Sequence, residues 1–319
     1  MDDATVVYVH GNGNKVRKEL LKAQWDEALF GTDMGAASRM AYWAPVRYGT
    51  PLPDHEPDPL SGGPPPLREL PDAGVPRTPE EFIEHTLREA RRTAGPAAGP
   101  APGRRCAQAG EEGLANWLAK MTYSAETLGR AEDAATAPTS SDLAEALPLP
   151  VFLRSPVFEL LVKLTFEDVY AYLFGGVGEA MREIVRGELA DLRDGPLVVL
   201  GHSLGSVIAY EVLREERRDV TLFVTAGCPL GITEIQDRLA LRPAVPAGVA
   251  AWSNVSDLRD LVALDHWLRP EYGPPDLVTD HLVRNDSGNH HGIAQYLSSP
   301  PVQQELRALF GRVASDRAG

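Results

Sequence analysis

The sequence predicts an α/β fold, a mostly parallel sheet flanked by helices. Three observations carry this. Short β-branched or apolar runs alternate with amphipathic helical stretches along the chain. The run Leu197-Val198-Val199-Leu200 contains no polar residue, as expected of a strand covered on both faces. The composition, 43% hydrophobic and 24% charged in 319 residues, is that of a globular chain with a sizeable core and not of a disordered one.

The elements follow in order. Residues 5–9 form a β-branched run that ends in His10-Gly11-Asn12-Gly13-Asn14. Residues 15–30 place Val16, Leu20, Leu21, Ala28 and Leu29 at helical spacing, and residues 39–46 read as a second strand. Residues 47–77 are crowded with proline, including Pro64-Pro65-Pro66, and are expected as extended loop. A helix then opens with Thr78 as N-cap, Pro79 at the first helical position and Glu81 completing a capping box. The stretch 94–103 (AGPAAGPAPG) is of low complexity. Helical patterns return near residues 114–128 and 156–174, the latter with a stripe of Phe158, Leu161, Val162, Phe166, Val169 and Leu173. Another amphipathic helix spans 177–192 and leads into the strand at 197. Further strands are expected at 220–226, 249–253 and 281–284.

Composition excludes several function classes. There are 31 Lys+Arg against 45 Asp+Glu, a net charge of −14, which opposes phosphate-tracking nucleic-acid binding and simple adhesion to anionic membranes. The two cysteines, Cys106 and Cys228, cannot form a disulfide framework or a four-ligand zinc site, and a bridge between them is not expected. No window approaches ~18 uncharged apolar residues, so no membrane span is expected. The chain starts Met1-Asp2-Asp3-Ala4 with no basic, then apolar, leader, and a cytoplasmic location is expected.

The chemistry is concentrated at Gly201-His202-Ser203-Leu204-Gly205, a G-x-S-x-G run between the buried strand and a helical segment. A strand-to-helix turn this sharp strains the central serine and projects its Oγ outward. Residues two positions away must then be nearly free of side chain, hence Gly201 and Gly205. Leu204 N–H stands at a helix N-terminus, where unpaired donors favour a developing oxyanion. Gly11-x-Gly13-x-Lys15 invites a phosphate-loop reading, but that motif needs four residues between its glycines and Ser or Thr after the lysine, where Val16 stands. The dinucleotide fingerprint needs a third glycine at the same place.

On these residues the chain resembles the α/β-hydrolase superfamily, most closely lipase-like and esterase-like members with a GHSLG elbow. The resemblance covers about residues 5–46 and 177–310 and skips the middle. It implies a single α/β-hydrolase domain over residues 1–319, interrupted by a cap-like insertion at 47–176 with proline-rich connections, lying between the second strand and the helix before the elbow. It implies that Asn12, which follows His10-Gly11, offers its backbone N–H to the oxyanion alongside Leu204. In the superfamily's order of Ser, then acid, then base, Asp260 in Asp260-Leu261-Val262 resembles the acid position, with Asp257 as the alternative. His291 leads a His-x-Ile-x-x-Tyr-Leu run ending at Tyr296-Leu297 and is the preferred base, with His290 as the alternative.

A serine hydroxyl is a weak nucleophile at neutral pH. It needs a histidine to take its proton and a carboxylate to hold that histidine's tautomer. The expected activity is therefore hydrolysis of a carboxylic ester by Ser203, His291 and Asp260 through an acyl-enzyme. A thioesterase or an amidase with the same triad is the alternative. A catalytically silent scaffold that binds a partner through the insertion is the alternative of another class. No cofactor and no metal are expected, since a tandem histidine pair lacks partner ligands at suitable spacing. The partner expected is a small-molecule or acyl-ester substrate. The stripe of residues 156–174 is expected either to line an acyl pocket or to pack in the insertion's own core. Cys228 is read as a small buried residue.

Overall fold

The computed structural model describes residues 4–61, 76, 78–94, 104–136, 156–190, 192 and 195–317. The Pro64–Pro66 run and residues 95–103 of the low-complexity stretch lie outside the described residues. Six strands form one sheet: β1 (Thr5–Val9), β2 (Ser38–Ala41), β3 (Leu197–His202), β4 (Leu222–Ala226), β5 (Trp252–Ser256) and β6 (Val278–Leu282). The order across the sheet is β2-β1-β3-β4-β5-β6, and every pairing is parallel. The chain moves from β1 to one side and returns for β3 on the other. Such a reversal leaves a crevice beyond the carboxyl ends of β1 and β3, the usual ligand position in open α/β sheets.

The helices are α1 (Lys18–Phe30), α2 (Pro79–Thr93), α3 (Arg104–Thr136), α4 (Pro156–Phe174), α5 (Gly178–Ala190), α6 (Leu204–Glu215), α7 (Thr233–Gln236), α8 (Ile293–Leu297) and α9 (Pro300–Arg317). Strand alternation sorts them into two layers. Val6, Tyr8, Val198, Leu200, Leu222 and Val224 face one side, where Leu21, Trp25 and Leu29 of α1, Tyr296 of α8 and Leu306 of α9 complete a core. Val7, Val9, Leu197, Val199, Phe223 and Trp252 face the other. There α5 and α6 pack, and α2, α3 and α4 share the same apolar cluster through Phe82, Trp117, Leu118, Phe158, Leu161 and Phe166. Among the described residues no helix is long and apolar enough to cross a membrane.

Several boundaries differ from the sequence reading for local reasons. Helix α1 begins at Lys18 and not at residue 15, because Lys15 N–H is taken by Asn14 Oδ1 (2.9 Å) and Lys15 O accepts from Leu52 N (2.8 Å). Strand β2 stops at Ala41 instead of reaching 46. The N–H groups of Trp43 and Ala44 turn away from the sheet to donate to His10 Nε2 at 3.0 and 3.2 Å. Val220 and Val249 make only an isolated bridge before β4 and β5 begin. Strand β6 starts at Val278, opposite Trp252, three residues before the expected start. Helix α2 opens as expected, with Thr78 Oγ1 accepting from Glu81 N at 3.2 Å.

The stripe on α4 packs into the core. Phe158, Leu161, Val162, Phe166 and Val169 are buried in the cluster shared with the sheet, and Leu173 is half-buried against it. One end of the stripe comes near the candidate base loop, where the Phe158 ring centroid lies 6.3 Å from that of His290.

Candidate active site

Ser203 joins β3 directly to α6. Its backbone has φ 53° and ψ −129°, a conformation that L-residues with side chains rarely hold, and it is wholly buried. The surroundings enforce this bend. Ser203 N–H donates to Ala226 O at the end of β4 (3.0 Å), and Ser206 N–H donates back to Ser203 O (3.0 Å). A Cβ on Gly205 would stand 2.2 Å from Val9 O and 2.4 Å from His10 O, and one on Gly201 would stand 2.6 Å from Ser206 Cα. Both glycines of the motif are therefore steric requirements of the turn. Leu204 is the first residue of α6, so no carbonyl one turn earlier in the helix can accept its N–H.

The loop after β1 lies against the serine. A Cβ on Gly11 would come within 2.8 Å of both Ser203 Cβ and His202 Nδ1. Asn12 reaches the serine with its side chain, Nδ2 donating to Ser203 Oγ at 3.0 Å. The loop is braced from several directions. Lys15 Nζ donates to Asn12 O and pairs with Asp58 at 2.8 Å. Gly13, with φ 79°, donates its N–H to Asp168 Oδ2 of α4 at 2.7 Å. Asp168 is fully buried and also accepts from Tyr48 Oη (2.9 Å) and Arg47 Nε (3.2 Å), so it ties α4 to this loop. His10 stacks on Trp43 with centroids 4.5 Å apart. Its Nδ1 donates to Gly11 O (2.9 Å) while Nε2 accepts two backbone N–H groups, so the ring is a neutral donor-acceptor bridge. Burial, helped by the Lys15 charge, drives its pKa down to about 3.

The loop between β6 and α8 carries both histidine candidates. His291 Nδ1 meets Asp260 at 2.8 Å (Oδ2) and 2.9 Å (Oδ1), with both side chains buried. Asp260 Oδ1 also accepts from Val262 N (2.9 Å) and Ala263 N (3.3 Å), and Oδ2 accepts from Tyr296 Oη (2.6 Å). Tyr296 Oη in turn accepts from Asp257 N at 3.1 Å. Burial first, and Asp260 second, hold this phenol well above its ordinary pKa, so it stays a donor. Gly227, at the end of β4 with φ 54°, makes room for the pair. A Cβ there would lie 2.8 Å from both Asp260 Oδ2 and His291 Nδ1. The residue after Ala226, the acceptor for Ser203 N–H, thus stands against the His–Asp pair.

The two alternatives are engaged elsewhere. Asp257 binds Arg259 (3.1 Å to Nη2) and accepts from Asn285 N (2.6 Å). Burial raises its pKa, but these bonds outweigh it and the net shift is downward. His290, with φ 56°, directs Nδ1 to Asn285 O at 3.0 Å. The loop is wired internally by Ser287, Asn285 and Asn289. Asn289 Oδ1 accepts from His291 N (3.0 Å), and its Nδ2 donates to Leu60 O (3.1 Å) in the segment after β2.

His202, between the elbow glycine and the serine, donates Nε2–H to His291 O at 2.9 Å, and the two rings lie 4.6 Å apart. Burial, then the neighbouring His291 and Lys15, hold it well below its ordinary pKa, hence neutral. Cys228 is a free, buried thiol pushed up to about 12 by desolvation. Among the described residues no group of three or more His, Cys, Asp or Glu side chains is placed to hold a metal ion.

At the carboxyl edge of β1, β3, β4 and β5 the structure thus places Asn12 on Ser203 Oγ, with Leu204 beside it, and His291 on Asp260; among the described residues no hydrogen bond joins Ser203 Oγ to His291. Sequence reasoning assigned no role to the Tyr296 hydroxyl, the Asn12 side chain or Asp168. Only Tyr296 left a signal, through its place in the His-x-Ile-x-x-Tyr-Leu run. A cleft of about 840 Å³ opens beside Asp260 between α3 (Asn116, Lys120, Tyr123) and residues 258–266. Comparison of the chain with protein-family models, with curated proteins and with solved structures finds no match in any of the three.

Proposed function

We propose that this chain is a serine hydrolase of the α/β-hydrolase type that cleaves a carboxylic ester. The observation that carries the reading is a strained, positive-φ serine at a strand-to-helix turn, its N–H held by Ala226 O, beside Gly227, against which the buried His291–Asp260 couple packs. Further support comes from the sheet order with its reversal between β1 and β3 and from helices inserted between β2 and α5, which would serve as the cap.

In this mechanism Ser203 Oγ attacks the carbonyl carbon while His291 Nε2 takes its proton. Asp260 holds the Nδ1–H tautomer and stabilises the imidazolium that forms. The backbone N–H groups of Leu204 and Asn12 hold the oxyanion. The imidazolium then protonates the leaving alkoxide, and water, deprotonated by the same ring, releases the acid from the acyl-enzyme. Because Ser203 is wholly buried, substrate must displace part of its cover, and a cleft opens on the Asp260 side of the His–Asp pair. A thioester or amide substrate suits the same groups.

That same burial favours the silent-scaffold reading, in which the serine is a relic and the inserted helices bind a partner. One experiment separates them. The wild type should be labelled covalently by a fluorophosphonate probe and should hydrolyse p-nitrophenyl esters, and Ser203→Ala should lose both while remaining folded. A wild type that neither labels nor turns over is the scaffold's result.

A further inference from the structure

An oxyanion hole is ordinarily assembled from backbone donors, and Asn12 would supply one through its N–H. Its side chain is also committed to the reaction centre. Nδ2 donates to Ser203 Oγ at 3.0 Å. The other end of the amide, Oδ1, is buried with no hydrogen-bond partner, although Asn12 is only 2% exposed. A buried amide held for structure alone satisfies both ends. This one leaves its acceptor empty and spends its donor on the nucleophile, which is where a functional group breaks the rule of polar satisfaction. The frame that presents it is rigid, with Lys15 on Asn12 O, Asp168 on Gly13 N–H, and Gly11 bare against Ser203 Cβ.

Resting on the hydrolase reading, we propose that the Asn12 side-chain amide is a third catalytic donor: Nδ2–H orients Ser203 Oγ and, as Oγ bonds to the carbonyl carbon, shifts to the oxyanion beside it. The balance is simple. The Oγ proton goes to His291 Nε2, the carbonyl π pair becomes the oxyanion, and Asn12 keeps both of its protons. The amide is neutral and cannot titrate, so it stabilises developing charge without competing for the proton in transfer.

The test compares wild type, Asn12→Ala, Asn12→Asp and Ser203→Ala on a p-nitrophenyl ester and against an alkyl boronic acid, which forms a tetrahedral anionic adduct with serine. Asn12→Ala should lower kcat/KM roughly 10²–10³-fold, with KM within a few-fold of wild type. It should weaken boronate affinity by a similar factor, since ground-state binding is untouched and transition-state binding is not. Asn12→Asp, isosteric but without the donor and with a like charge, should lose more, and it provides the reading if the alanine variant does not fold. A folded Asn12→Ala or Asn12→Asp protein within threefold of wild-type kcat/KM, or with unchanged boronate affinity, overturns the inference while the hydrolase reading stands. A wild type inert to both ester and fluorophosphonate overturns both.

Discussion

Replacing Asp260 with asparagine keeps the side chain's shape and changes one atom's role, and the structure dictates which atom. Oδ1 accepts two backbone N–H groups, from Val262 and Ala263, so the oxygen of the new amide must stay there. The NH₂ group then falls at the Oδ2 position, facing Tyr296 Oη and His291 Nδ1. Tyr296 can adapt, because its hydroxyl already lies 3.3 Å from His290 O and can donate there instead. His291 cannot adapt without cost. Its Nδ1 keeps the retained oxygen at 2.9 Å but loses the carboxylate charge, and it now faces the NH₂ group at the 2.8 Å Oδ2 position, which favours Nδ1 as acceptor and the ring proton on Nε2, the atom that in the proposed mechanism must be bare to take the proton of Ser203. A Ser-His-Asp triad given the same substitution loses about 10⁴-fold in kcat, about 5 kcal/mol of transition-state stabilisation. Asp260→Asn should show a loss of this order in p-nitrophenyl ester turnover and in the rate of fluorophosphonate labelling. Its thermal stability should fall by only about 1–3 kcal/mol, the worth of hydrogen bonds to a charge. Asp257→Asn, whose carboxylate faces Arg259 and Asn285, should keep its activity within tenfold. Activity of Asp260→Asn within tenfold of wild type, or an equal loss in Asp257→Asn, would refute the assignment.

Two predictions concern stability. Asp168→Ala removes a fully buried carboxylate from Gly13 N–H, the Tyr48 hydroxyl and the Arg47 guanidinium at once. Leaving a largely buried Arg47 unpaired should cost about 3–5 kcal/mol in urea denaturation, and a loss under 1 kcal/mol would contradict the anchoring role. His10 is neutral in the folded chain, with its pKa near 3, but takes up a proton near pH 6.5 when unfolded. The unfolded state therefore binds more protons below pH 6.5, and stability falls as pH is lowered from there towards 3. Between pH 7 and 5 this one group should remove about 2 kcal/mol, with neutral His202 acting in the same direction. Unfolding free energies that stay flat over that range would exclude it.

The sheet was legible wherever a strand carries its signature in its own residues. Leu197–His202 has only apolar or small residues before its histidine, and Thr78-Pro79 announces the start of α2. Boundaries set by distant partners were not legible. β2 ends at Ala41 because His10, 33 residues away from Trp43, captures the next amides. The same division holds at the site. Ser203 and its glycines are a local steric problem with a local solution, so five residues suffice to recognise it. Tyr296 holding Asp260 across 36 residues, and Asp168 reaching Gly13 across 155, are tertiary hydrogen bonds that no spacing rule encodes.

The bond from His202 Nε2 to His291 O has a mechanical meaning. The residue that immediately precedes the serine grips the peptide of the histidine 89 positions later, so the elbow and the following loop are yoked as one body. Under the proposed hydrolase reading, a cover that rose to admit a substrate would leave Ser203 and the His291 loop moving together.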